Sequence, residues 1–293
     1  MNSAFNRLLR PVMKLKSLLI ASTVLGVLTL NAQAATVSVS NYPMFLLSEA
    51  VTEGTPSANR ILQAGDVGHH GSISPSDMKA IKDSKFVVWF GPTLENSLTG
   101  SLETAPNAIS LFDFKAFNRY PLRDVKGAPI AGTLDPHIWL DPENAKAITR
   151  ALAVIHSHAN PEYTSTYQAN VKKFAARMDK EVADIQQQAV QKNRPYWAYH
   201  DAYQYIEKAT NITLAGSLSP DHHISPKASQ LRWLNEHRPS TRMCMINQSV
   251  ASKGLLAKLQ PLDTTVQVED MSASKDFVDG WRMMAQQISQ CIS

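Results

Sequence analysis

The sequence predicts an α/β protein of two lobes, each a parallel sheet flanked by helices, joined by one long bridging helix. Three observations carry this. Short apolar runs alternate with helical patterns in two separate stretches, before residue 160 and after residue 194, an order that gives parallel strands with helices on both faces. Between them an apolar stripe at helical spacing runs unbroken from Tyr163 to Ala189. Once a leader is set aside, about 259 residues remain, on the order of two domains.

The leader comes first. From Met13 the chain reads "MKLKSLLIASTVLGVLTLNAQA": two lysines, an apolar run from Leu18 to Leu30, and Ala32-Gln33-Ala34 as an A-x-A cleavage pattern. These are the parts of a secretory signal peptide, in order. The run is shorter than the ~20 residues of a spanning helix. The expected division is therefore signal 1–34, first lobe 35–160, bridging helix 161–193 and second lobe 194–293.

In the first lobe, "ATVSVSNYP" alternates with period two at Val37 and Val39, as a strand does. Ser74 and Pro75 open a helix as N-cap and first helical residue. "KFVVWFGP" is a continuous apolar run ended by Gly-Pro, which suits a strand buried on both faces. "HIWLDPENAKAITRALAVIHSHA" reads as a short strand running into a helix.

The bridging helix starts at Asn160-Pro161-Glu162, with a capping Asn, Pro at the first position and an acid facing the helix dipole. In the second lobe "YWAYHDAYQYIEKAT" is strand then helix, and "TLAGSLSP" is a strand. A helix follows from about Pro226 to His237. "RMCMINQ" is a strand, "LLAKL" a short helix, "TTVQVED" a strand and "SKDFVDGWRMMAQQISQCI" the closing helix.

Charge excludes one class of partner. Arg7, Arg10, Lys14 and Lys16 are the only charged residues of the leader and account for the whole net +4. The exported chain is near neutral, so nucleic acid loses its electrostatic support. The only cysteines, Cys244 and Cys291, are an even pair in an oxidising compartment and read as a disulfide.

Three histidines share one kind of position. His69 lies in "GDVGHHGSISPSD" just before the helix at Pro75. His137 stands in "DPHIWLDP" between a Pro-marked loop and the apolar run. His200 closes "YWAY". Ligands of open α/β sheets bind at the carboxyl ends of strands, so two facing lobes would bring these imidazoles together. Converging neutral imidazoles suit a borderline metal such as Zn²⁺. Asp270, in "VQVEDMS", could supply a carboxylate to that metal or cap a helix starting near Ser274. His222 and His223, in "SPDHHISP", could form a secondary metal perch. His156, His158 and His237 lie on helix surfaces, where solvation is the expectation.

The motifs "HHGSISPSD…VVWFGPTLE", "DPHIWLDP" and "YHDAYQYIEK", with the paired cysteines late in the chain, resemble the zinc-binding substrate-binding proteins of bacterial ABC transporters. These are the ZnuA type of the cluster 9, or A-I, metal-binding class, and the likeness spans the whole exported chain. The resemblance implies two α/β lobes on one long helix, capture of zinc as transported ligand in the periplasm, and delivery to a membrane permease by a monomer that is not an enzyme. Counting back from Pro75-Ser76-Asp77 aligns His69 with the family's first ligand and leaves His70 as a neighbour that can close over the site. His137 and His200 match the second and third ligands, and Asp270 falls at or near the fourth. Imidazole at the third position separates zinc-type from manganese-type relatives. Cys244 and Cys291 match the family's disulfide.

Two features depart from the pattern. Phe114–Asp135 holds no histidine where zinc-type relatives often carry a His-rich loop, and Gln248-Ser249 replaces a late Glu-Pro. The competing functions are a broader Mn²⁺/Zn²⁺ carrier, a metal-dependent adhesin, and a secreted zinc hydrolase. The hydrolase would need a placed general base such as the Glu of an HExxH helix, and that motif is absent.

Overall fold

The computed structural model describes residues 36–66, 73–189, 195–220, 225–248, 251–267 and 269–291. In the first sheet β1 (Val37–Val39), β2 (Asn59–Arg60), β3 (Phe86–Trp89) and β4 (Ala108–Ser110) pair in the order β2-β1-β3-β4, all parallel. In the second, β5 (Tyr196–His200), β6 (Leu214–Ser219), β7 (Met243–Asn247) and β8 (Leu262–Val266) pair as β6-β5-β7-β8, again all parallel. The two orders are the same pattern. In each sheet the order in which strands are added therefore reverses between the first and third strands, which opens a crevice at their carboxyl ends.

The helices are α1 (Tyr42–Thr52), α2 (Pro75–Asp83), α3 (Thr99–Leu102) and α4 (Pro142–Ala159) in the first half. Then come α5 (Thr164–Ala189), α6 (Gln204–Thr210), α7 (Ala228–Glu236), α8 (Lys253–Ala257) and α9 (Phe277–Cys291). Burial on both sheet faces follows from strand alternation. Val88 joins the central core, while its neighbours Val87 and Trp89 join a second cluster with Ile61, Ile81 and Leu102. Likewise Tyr196, Ala198 and Ile246 face the central core, and Trp197, Met243 and Met245 face a third cluster under α7. The central core draws on both sheets, which belong to one unit, Ala34–Ser293.

The bridging segment opens with a 3-10 turn, Pro161–Tyr163, and continues as the 26-residue α5, ~39 Å at 1.5 Å per residue. Tyr167, Phe174, Met178 and Ile185 form its buried stripe, packed against α1, α4 and α9. Arg177 fixes its position by donating to both oxygens of Asp276, at 2.8 and 2.9 Å. Asp276 also accepts from the Asp279 N–H at 2.9 Å. It caps α9, so that helix begins at Phe277 and not near Ser274. Among the described residues no helix is long and apolar enough to cross a membrane.

Several expectations need correcting. The apolar run after His137 is not a strand: Ile138–Leu140 is a fully buried 3-10 turn. It is held by the Trp281 indole N–H of α9, which donates to the Leu140 carbonyl at 2.8 Å. The helix α1 and the short strands β2 and β4 carry too few residues or too weak a pattern to be read in advance. His156 is not solvated; it is 1% exposed, with Nε2 2.8 Å from Ser48 Oγ.

Burial lowers the His156 pKa to about 4, and this has a measurable consequence. Below the unfolded value of ~6.5 the unfolded chain takes up a proton that the folded chain refuses. The site therefore costs stability as pH falls from ~6.5 to ~4, on the order of 2 kcal/mol at pH 4.5. Urea unfolding of the metal-free protein at pH 7 and pH 4.5 should show a smaller acid loss in His156→Gln than in the wild type. Equal losses would place the responsible proton elsewhere.

Candidate metal centre

His200 is the last residue of β5, at the crevice between β5 and β7. The residue after β7, Gln248, donates from Nε2 to the His200 carbonyl at 3.3 Å and to Tyr203 Oη at 3.2 Å. The Gln248 amide thus holds the backbone of a candidate ligand.

His137 reaches the same place from the other half of the chain. It precedes the 3-10 turn, and Asp135 Oδ1 accepts both its backbone N–H, at 3.0 Å, and its ring Nδ1, at 2.7 Å. A carboxylate on Nδ1 fixes the ring and leaves Nε2 as the metal-facing nitrogen. The His137 and His200 rings lie 5.4 Å apart at 61°.

The third member is Glu269. Its Oε2 is 3.6 Å from His137 Nε2 and 3.9 Å from His200 Nε2, and all three side chains are buried. The candidate donor atoms lie within 4.8 Å of one another. Donors around a tetrahedral zinc at ~2.0–2.1 Å are ~3.3 Å apart, so small side-chain shifts suffice. Burial disfavours the His137 imidazolium, but the charges and hydrogen bonds of Asp135 and Glu269 outweigh it and raise the pKa to about 10. An entering metal must displace that proton.

Asp270, the expected carboxylate, points elsewhere. Its Oδ1 accepts from the Ser272 N–H at 2.9 Å and its Oδ2 from the Gly65 N–H, so it ties the turn after β8 to the loop after β2. The strand ends at Val266, not near Asp270, and only the path of the chain beyond it decides which of two adjacent acids meets the imidazoles. Asp201, the residue after His200, is engaged by Arg123. His69, His70, His222 and His223 lie outside the described residues. Cys244 of β7 and Cys291 of α9 form a disulfide.

On the first-sheet side, Glu95 of "GPTLE" is fully buried. It accepts from Asn41 Nδ2 at 2.8 Å and from the Phe90 N–H at 2.7 Å, which joins the loops following β1 and β3. Burial pushes its pKa up to about 8.

The sequence model of the periplasmic A component of zinc-uptake complexes matches residues 37–291. The chain belongs to that family. Among relatives of this zinc-uptake component, the high-affinity zinc uptake system protein ZnuA of Brucella abortus is 26% identical over 240 residues, 68% of this chain and 72% of the relative. The protein of the same name from Haemophilus ducreyi is 25% identical over 325 residues, covering 95% of this chain and 99% of its own length. The zinc-uptake fold is shared with the laminin-binding protein Lmb of Streptococcus agalactiae, described as having adhesin and metal transporting activity. That structure superposes with a TM-score of 0.73 at 20% identity, over 89% of this chain and 100% of Lmb.

Proposed function

We propose that this protein is exported, captures one zinc ion in the cleft between its sheets and delivers it to the membrane permease of an ABC transporter. The observation that carries this reading is the meeting of His137 Nε2 and His200 Nε2 at one Glu269 oxygen, at 3.6 and 3.9 Å. Two imidazoles and a carboxylate, drawn from separate parts of the chain and buried together, suit a dehydrated borderline cation. Family membership supports zinc as that cation. His69 supplies the third imidazole by the count from Pro75, with His70 its neighbour, and Glu269 stands in the position the sequence had given to Asp270. His222 and His223 form a secondary perch. The division into lobes 35–160 and 194–293 about a bridging helix 161–193, with cleavage of the signal after Ala34, belongs to the same proposal.

Carrier action is favoured over zinc hydrolysis because the neighbouring acids are committed: Asp135 to His137, Asp201 to Arg123. The working unit in this reading is a monomer.

The test is zinc titration of metal-free exported protein by competition with a chelator. The expected result is one zinc per chain without turnover of ester or peptide substrates. Glu269→Gln should weaken binding by more than Asp270→Asn does. The reverse order would return the carboxylate role to Asp270, and turnover would sink the carrier reading.

A further inference from the structure

The segment before His137 belongs to the first half of the chain but is fastened to the second. Residues 120–135 fold into an irregular hairpin around the bridge Arg123↔Pro129, closed by Asp124 N–H to the Ala128 carbonyl and Ile130 N–H to the Leu122 carbonyl, both at 2.8 Å. The hairpin tip sits on β6, the edge strand of the second sheet, where Ser217 N–H donates to the Val125 carbonyl at 3.1 Å. Gly216 makes that approach possible. Its φ is +147°, and a Cβ there would lie 2.9 Å from the Val125 oxygen.

Arg123 is the centre of this attachment. Its guanidinium donates from Nε to Asp201 Oδ2 at 2.8 Å, and from its two terminal nitrogens to the oxygens of Glu207 at 2.6 and 2.8 Å. A further bond runs to Asp201 Oδ1. Tyr196 Oη donates to Glu207 at 2.6 Å. The arginine side chain is only 12% exposed, and its partners 3% and 7%. The planar fork makes two bonds to each carboxylate; an ammonium, with three donors on one atom, cannot make all four.

What the clamp holds is informative. Asp201 follows His200 directly, and the same stretch of second-half chain grips the other end of the site. Gln204 Nε2 donates to Asp135 Oδ2 at 2.9 Å, and Tyr205 Oη donates to the Asp135 carbonyl at 3.0 Å. Asp135 is the residue that orients the His137 ring. We propose that Arg123 is a positioning residue for metal capture, acting through Asp201 and Glu207 to hold the His200 end of β5 in register with the His137 loop. This rests on the reading of His137 and His200 as ligands. The clamp of Arg123 with Asp201 and Glu207 thus sets the distance between the two candidate donors.

The experiment compares Arg123→Lys and Gly216→Ala with the wild type. The first keeps the charge and loses the fork; the second leaves the ions intact and places a Cβ within 3 Å of the Val125 carbonyl and of the Leu234 and Trp233 side chains, which unseats the hairpin from β6. The readouts are zinc release into excess chelator, the visible spectrum of the Co²⁺-substituted protein, and the melting midpoint of the metal-free protein. The expected result is release about 10- to 100-fold faster in both variants, the range for residues that orient ligands, with an altered cobalt spectrum. A purely structural clamp would lower the melting midpoint while leaving release and spectrum unchanged, and that outcome overturns the proposal. If Arg123→Lys does not fold, Gly216→Ala decides alone. His137→Ala is the control: wild-type affinity there overturns the ligand reading and this inference with it. Lost affinity there with unchanged release in both clamp variants overturns this inference only.

Discussion

His137→Ala should weaken zinc binding by at least ~100-fold, with the folded state retained. Substitutions of residues that merely orient a ligand already cost 10- to 100-fold, and this change removes a candidate donor outright. It also leaves Asp135 and Glu269 without the imidazole each contacts from opposite ring nitrogens. Asp135→Asn should fall between, because its amide no longer stabilises Nδ1–H by charge while the ring stays in place. His156→Gln should leave affinity unchanged, since that ring is bonded to Ser48 within the α1–α4 packing. Calorimetry or chelator competition on metal-free protein distinguishes these. Equal affinity in His137→Ala and the wild type would remove His137 from the site.

Reduction of Cys244–Cys291 should cost about 4 kcal/mol of stability and leave zinc affinity almost unchanged. The two cysteines are 47 residues apart, and closing a loop of that size restricts the unfolded chain by about 4 kcal/mol in the chain-entropy treatment. The bond pins the last residue of α9 to β7. The other end of α9 is held independently by the Arg177–Asp276 pair and by the Trp281 bond to Leu140. The metal-facing side of the fold therefore keeps its anchors when the bridge opens. Thermal melts and zinc titrations with and without reductant, together with a thiol count, make the check. An unchanged melting midpoint would deny the bridge its stabilising role, and a large loss of affinity would show that the C-terminal end of α9 also organises the site.

Much of the architecture was written locally. "KFVVWFGP" and "YWAYH" are apolar on both faces because both sheet faces are covered, as in a parallel sheet flanked by helices. Ser74 and Pro75 open α2 as read, with Ser74 and Asp77 completing a capping box, because caps depend on residues three apart and nothing distant. The bridging helix was legible for the same reason: its buried stripe repeats at the helical period. His137 and His200 were legible as candidates because each stands where an apolar run meets a polar loop, a place where ligands of open α/β sheets bind.

The tertiary structure decided what depends on pairing across the chain. Tertiary packing buried His156, which on its helix reads as a surface residue, because Ser48, 108 residues away, and Tyr167 of the next helix close over its ring. It turned Ile138–Leu140 into a 3-10 turn, fixed by an indole 141 residues on. It placed Glu269 against the imidazoles and its neighbour Asp270 against the Gly65 N–H. Arg123 is the extreme case. Within "YPLRDVKGAP" it reads as one more solvated charge, yet its two acids lie 78 and 84 residues away. A local pattern records secondary structure because helix and strand periods are short-range. A buried ion cluster is specified only when the segments that carry its charges have already packed together.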